Sequence, residues 1–178
     1  MAATQRKGLK RGVTGEWTII AKVKPGHEGA MREIAKTRPT EISGKNEDRV
    51  VAVGTVHDYR WVLFDNDTRI MFMSNFDGEW DQYIDDFFAT GIVREGFDVV
   101  LSHCEGYDVS APDSVKKDWF QAQTQEAAYY MRAYPGSVKE IWKALELQKA
   151  FQDTLDDPGA AEALAHPALK PLLDLAAK

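Results

Sequence analysis

Residues 49–64, RVVAVGTVHDYRWVLF, form the longest run in the chain with the two-residue period of a β-strand. One parity holds Val51, Val53, Thr55, His57, Tyr59, Trp61 and Leu63; the other holds Val50, Ala52, Gly54, Val56, Asp58, Arg60, Val62 and Phe64. Apolar residues on both parities predict a strand covered on both faces, with Gly54 marking a bulge or bend. Asp65-Asn66-Asp67 supplies a turn, and Arg69 to Ser74, carrying Ile70, Met71, Phe72 and Met73, returns as the second arm of a hairpin.

Working outward from this hairpin, Glu16 to Lys24 alternates Trp17, Ile19, Ala21 and Val23 with Thr18, Ile20, Lys22 and Lys24, which is another strand. Pro25-Gly26 stops it, Glu28 to Lys36 follows with Ala30, Met31 and Ile34 at helical spacing, and a polar loop runs from about Pro39 to Asn46. Beyond the hairpin, Glu79 to Thr90 is strongly amphipathic, with Trp80, Tyr83, Ile84, Phe87 and Phe88 on one side and Asp77 placed to cap the helix. Phe97 to Cys104 alternates again and is expected to be a fourth strand. The order β-α-β-β-α-β is the ferredoxin-like plan, an α+β class with an antiparallel sheet. Its two helices shield one sheet face, and the apolar residues left on the other predict pairing with a second copy of the chain.

The rest is mostly helical. A helix is expected from Asp113 or Ser114 toward Gln125, and a short aromatic strand over Ala127 to Tyr134. Ser137-Val138-Lys139-Glu140 is a capping box opening a helix to about Leu155, with Ile141, Trp142 and Leu145 directed inward. Pro158-Gly159 ends it, and Pro167 and Pro171 cut the remainder into short pieces. The organisation predicted is a flexible basic arm over 1–15, an α+β domain over 16–155 and a helical tail over 156–178.

Composition narrows the function classes. The net charge is −6, from 22 basic and 28 acidic residues, and basic side chains cluster only at Arg6, Lys7, Lys10 and Arg11, so nucleic acid is not an expected partner. No apolar run approaches the length of a membrane span. A single Cys104 fits a reducing compartment, and the expected location is cytoplasmic. No serine-hydrolase elbow, Walker loop, dinucleotide-binding glycine pattern or paired zinc motif occurs.

The remaining polar candidates are few. On a regular strand His57 shares a face with Tyr59 and Trp61, whereas Asp58 and Arg60 project from the other, so the three cannot converge. Arg60 reads either as a structural ion pair or as a contact to an anionic ligand, and His57 as a core histidine or a site residue. His103, beside Gly106 at the end of the expected fourth strand, reads as structural or as a metal or haem ligand or acid–base group. Asn75-Phe76-Asp77-Gly78 reads as a strand-to-helix turn or as an anion-holding helix start. Tyr59, Trp61, Trp80, Tyr83, Tyr129, Tyr130 and Tyr134 are core by default, and a pocket lined by them suits a planar aromatic ligand.

Four blocks carry a resemblance: Val56-His57-Asp58-Tyr59-Arg60-Trp61, Met73-Ser74-Asn75-Phe76-Asp77-Gly78-Glu79-Trp80 with Tyr83 and Asp86-Phe87, Ser102-His103-Cys104-Glu105-Gly106-Tyr107, and Tyr130 to Pro135. Together, over about Glu16 to Leu155, they resemble a bacterial group of dimeric α+β-barrel proteins. That resemblance implies sheet-to-sheet dimers, in a superfamily that includes dye-decolorising peroxidases, chlorite dismutases, cofactor-free monooxygenases and small-molecule cyclases or isomerases. Phe76-Asp77-Gly78 is similar to the distal Asp-Gly of the dye-decolorising peroxidases, without the rest of that motif. The expectation is a homodimeric barrel binding a small aromatic or planar ligand among His57, Arg60, Asn75, Asp77 and His103. His57, Arg60, Asp77 and His103 are the expected catalytic residues, with His103, Arg60 and Asn75 holding a cofactor if haem is used. Oxidoreductase chemistry, haem-dependent or cofactor-free, is the enzyme reading. The alternative is a non-catalytic interaction or cargo protein whose tail docks a partner.

Overall fold

The computed structural model describes residues 10–41 and 45–177. The chain is α+β. Three long strands, β2 (Thr14–Lys22), β3 (Val56–Phe64) and β4 (Arg69–Asp77), with the two-residue β1 (Lys10–Arg11), make an antiparallel sheet in the order β1-β2-β4-β3. The hairpin read from the sequence is present, and its turn holds Asp65, Asn66 and Asp67 in left-handed backbone, which Asn and Asp tolerate best after Gly.

Two stretches expected to be strand are helical instead, the first of them only the start of the strand expected from Arg49 to Phe64. Arg49 to Val53 belongs to α2 (Lys45–Val53), which follows α1 (Glu28–Glu41); the polar loop expected from Pro39 to Asn46 is helical at both ends, and its residues 42–44 lie outside the described ones. Val50 and Val53 lie on the core side three residues apart, while Val51 is exposed. Gly54, at φ 67°, follows the helix and donates back to the Val50 carbonyl, a helix-terminating role rather than the expected strand bulge.

Phe97 to Leu101 is likewise helical: a π-turn over Val93–Phe97 leads into α4 (Asp98–Leu101), and a turn then carries the chain to Cys104. Phe97, Val100, Leu101 and Cys104 are buried and Val99 is exposed, an i, i+3, i+4, i+7 set that satisfies a helix better than alternation satisfies a strand. The ferredoxin-like fourth strand is therefore not formed. Three short pieces lie along that edge of β2 instead: β1 opposite Thr14 and Gly15, a bridge from Thr124 to Ile19, and a bridge from Cys104 to Val23. Ala127 to Tyr134 contains no strand.

Trp17 sits at the centre of the core, fully buried, with Phe72, Trp80, Tyr83 and Phe120 edge-on to it and Phe97 stacked on it. Its indole N–H donates to Thr124 Oγ1 at 2.9 Å. The sheet face bearing Trp17, Ile19, Phe72 and Trp61 is covered by α1, by α3 (Trp80–Ala89), whose Trp80, Tyr83, Ile84 and Phe87 are buried, and by Phe120 of α5 (Asp113–Gln123). The opposite face carries Ile20, Met71, Met73, Val62 and Phe64, all half-buried, mixed with Thr18, Arg60 and Arg69. It is less uniformly apolar than expected.

The chain divides into two compact units at Val138/Lys139, earlier than the expected boundary at 155/156. The second unit contains most of α6 (Val138–Leu155), then α7 (Ala161–Leu164) and α8 (Lys170–Ala176), joined by short turns that start at Pro158 and Pro167. α6 begins immediately after Ser137, where the capping box placed it. Leu145, expected inward, is 56% exposed, and Leu147, Leu172 and Leu175 are exposed too. The basic arm's residues 1–9 lie outside the described ones; Lys10 and Arg11 are already in the sheet.

Candidate functional site: a buried His–Asp pair

The site is built where β2 starts and β4 ends. Thr14 and Asp77 are register partners there, and both project from the face opposite Trp17. On a regular β3 His57 would face the core with Tyr59. The register instead slips between Val56 and Asp58, so that His57 is the extra residue of a β-bulge and turns toward Thr14 and Asp77. His57 Nε2 lies 2.8 Å from Asp77 Oδ1, and Thr14 Oγ1 donates to the same oxygen at 2.8 Å. Asp77 Oδ2 accepts from the backbone N–H of Val138 at 2.6 Å. Asp77 therefore does not cap α3, whose N-cap is Glu79; it satisfies the first amide of α6.

After Gln125, whose N–H donates to the Thr18 carbonyl, the chain runs irregularly and returns Arg132 to the cluster. Arg132 donates to Thr14 Oγ1 and to the Gly136 carbonyl, lies 3.3 Å from His57 Nε2 and 3.4 Å from its Nδ1, and stacks over the Tyr134 ring at 4.7 Å. Among the described residues no carboxylate comes within ion-pair distance of it. The Tyr130 hydroxyl is buried and makes no hydrogen bond among the described residues.

The electrostatics follow from these contacts. Burial pushes the Asp77 carboxyl up, but the bonds from His57, the Val138 amide and Thr14 together outweigh it and hold the group below its ordinary range. An ionised carboxylate accepts only, so Nε2 of a neutral His57 carries the proton and Nδ1 the lone pair. Burial raises the Tyr130 phenol, against a smaller opposite pull from Arg132. With the His57 side chain 5% exposed, the arrangement is a shielded imidazole fixed by a carboxylate and flanked by a guanidinium. Such a group can accept a proton at Nδ1 while a neighbouring cation holds negative charge.

The other expected site residues lie elsewhere. Asn75 Nδ2 donates to both oxygens of Asp58 at 3.1 Å, and Arg60 is exposed, its Nη2 3.5 Å from Met73 Sδ. His103 lies at the far end of β2, in the turn bridged to Val23, roughly 30 Å from Asp77 at about 3.3 Å per residue of strand. Its Nδ1 is 2.9 Å from Nδ1 of His27. Burial first, then His27 and Lys24, holds the His103 pKa below its ordinary value. His103 and Asp77 cannot face one haem across that distance, so the residues do not fit a haem held between them. Among the described residues no group of three or more His, Cys, Asp or Glu is placed to hold a metal ion. Burial pushes the Cys104 thiol up to about 12, the behaviour of a buried apolar residue.

Thr14 and Arg132 were not singled out from sequence. For Arg132 a signal existed, a lone cation inside the aromatic run Tyr129 to Tyr134. For Thr14 there was none.

Fold and site define an α+β protein with an antiparallel sheet and a buried, arginine-flanked His–Asp pair at one sheet end. No protein-family model matches the chain. It is 30% identical over 131 residues, 70% of its length, to a tRNA modification GTPase MnmE of Mesorhizobium japonicum. The match covers 26% of that protein, so the chain spans about a quarter of the length of the curated relative it matches. Among the described residues no helix is long and apolar enough to cross a membrane.

Proposed function

We propose that the chain binds a small, planar, anionic ligand at the His57–Asp77–Arg132 cluster, and that His57 exchanges a proton with it. One observation carries this reading: Arg132 is a half-buried cation that bonds directly to Thr14 Oγ1 and the Gly136 carbonyl and stacks on Tyr134, with no direct ion-pair partner among the described residues, beside an imidazole already oriented by a carboxylate. A guanidinium taken from water without a counter-charge is costly, and a carboxylate or phenolate on the ligand would offset that cost. The faces of Tyr134 and Tyr130 suit a planar body. Proton abstraction from such a ligand is also the step that opens a cofactor-free oxidation, so the oxidoreductase reading survives in its cofactor-free form.

The test is a titration of the full chain with benzoate and with phenol, followed by backbone-amide NMR. Saturable shifts at Thr14, His57 and Arg132 to Tyr134 with benzoate, lost in Arg132→Gln, are expected. No localised response to either compound overturns the reading. GTP hydrolysis, named for the relative, finds no support in a sequence that lacks a Gly-x-x-x-x-Gly-Lys-Ser/Thr loop.

A second reading rests on the second compact unit, where Leu145, Leu147, Leu172 and Leu175 are exposed. Exposed leucines, two on α6 and two on the short α8, favour a docking surface for a partner protein. Removing Pro158 to Lys178 separates a docking tail, which loses a partner at an unchanged melting temperature, from an element of the fold, which melts lower. We further propose that the half-buried row Val62, Met71 and Ile20 on the outer sheet face pairs with the same row of a second copy.

A further inference from the structure

At the other end of β2 from His57 a cleft of about 300 Å³ opens between the strand end, the start of α1, the β3–β4 turn and the turn that holds Glu105. Its size lies at the small end of the range for small-molecule sites. Val23 and Pro25 give it an apolar wall.

Its charges are unusual in their arrangement. Lys22 and Arg69 both line it and are direct register partners on adjacent strands. Like charges directly opposite each other across strands are destabilising. No direct ion pair relieves these two: among the described residues neither cation makes one, and Arg69 instead lies 5.1 Å over the Phe64 ring, which holds the guanidinium without neutralising it. Three carboxylates line the same cleft from three separate elements, Glu28 from the first residue of α1, Asp65 from the hairpin turn and Glu105 from the turn after Cys104. None of the three side chains makes a hydrogen bond or ion pair among the described residues. Two cations on neighbouring strand ends and three acids on surrounding elements thus share one cleft without a direct ion pair between them among the described residues. A ligand carrying only one sign of charge would relieve one group and repel the other.

We propose that this cleft binds a small zwitterion of the α-amino-acid type, its carboxylate between Lys22 and Arg69 and its ammonium toward Glu28, Asp65 and Glu105. The site is separate from the His57 cluster by the length of β2, so it stands or falls independently of the reading given there.

The experiment is amide NMR on the full chain titrated with L-alanine, and with acetate and ethylammonium as the two half-ligands. L-Alanine should move the amides of Val23, Thr68 and Glu105 saturably in the millimolar range, with each half-ligand weaker by about tenfold or more. Arg69→Gln and Glu105→Gln should each weaken L-alanine by about tenfold and leave the amides around His57 unmoved. If Arg69→Gln fails to fold, Lys22→Gln reads the same contact. Acetate binding as tightly as L-alanine, L-alanine binding unchanged in the variants, or no localised shift with L-alanine would each overturn the proposal.

Discussion

His57 and Asp77 stand 20 residues apart on paired strands, and their 2.8 Å contact exists because β3 takes one extra residue at His57. Without that bulge the imidazole would join Tyr59 in the core and Asp77 would lose its imidazole donor. The carboxylate also receives Thr14 and the first amide of α6, so it ties three separated segments together. Asp77→Asn is expected to destabilise the fold by about 2–3 kcal/mol, since it weakens charge-assisted bonds to buried donors. The folded carboxyl sits below its ordinary 3.8, so its stabilisation is complete above that value and is lost as pH falls through the lower folded pKa. Urea unfolding across the acid range checks this: the native chain should lose stability steeply there, and the Asn variant should show a shallower limb.

The clearest buried ion pair lies elsewhere. Lys116 Nζ is 2.8 Å from Asp98 Oδ2, with side chains 5% and 9% exposed, and the Tyr107 hydroxyl donates to Asp98 Oδ1 at 2.5 Å. Lys116→Met leaves a buried carboxylate with only Tyr107 and should cost about 3–5 kcal/mol. The pair Lys116→Met with Asp98→Leu should recover part of that loss, because the desolvation cost disappears with the second charge while the buried Tyr107 hydroxyl loses its acceptor. Chemical denaturation of the native chain, the single variant and the double variant measures both effects.

The sequence made the hairpin, α3, α5 and α6 legible because each has one dominant period and a chemical stop signal. It misled where two periods coexist. Phe97-Asp98-Val99-Val100-Leu101 satisfies alternation over a few residues, yet its buried set spans Phe97 to Cys104 at helical spacing, and Asp98 faces inward only because Lys116 and Tyr107 meet it from elsewhere in the chain. Val50 to Val53 adjoins a true strand, and only Gly54 marks the break. For the site, His57 and Asp77 were named from sequence but not as a pair, since a bulge changes which face a residue takes and leaves no mark in the alternation itself. Arg132 arrives through an irregular segment with no period at all.

His103 offers a pH-dependent readout at the opposite sheet end. Its burial, with His27 and Lys24 beside it, lowers the folded pKa below the ordinary 6.5. The unfolded chain therefore takes up a proton near 6.5 that the folded chain resists, and stability falls as pH drops from there toward the lower folded value. His103→Asn should flatten that part of the profile. Urea midpoints measured on either side of about pH 6.5 decide it, and an unchanged slope in the variant would remove His103 from the account.

The proposed self-association rests on what the outer sheet face presents. Val62, Met71 and Ile20 lie side by side across β3, β4 and β2, half-buried, at the middle of the face. An apolar row flanked by Arg60, Thr18 and Arg69 has the composition of an interface with a polar rim. Met71→Lys would place a charge at the centre of that row, opposite its own symmetry mate, where unpaired charge is least tolerated. The native chain should sediment as a dimer and the Lys variant as a monomer with the same far-ultraviolet circular dichroism. A native chain that stays monomeric at high concentration would leave the row as ordinary surface, and would leave the His57 site to function within a single copy.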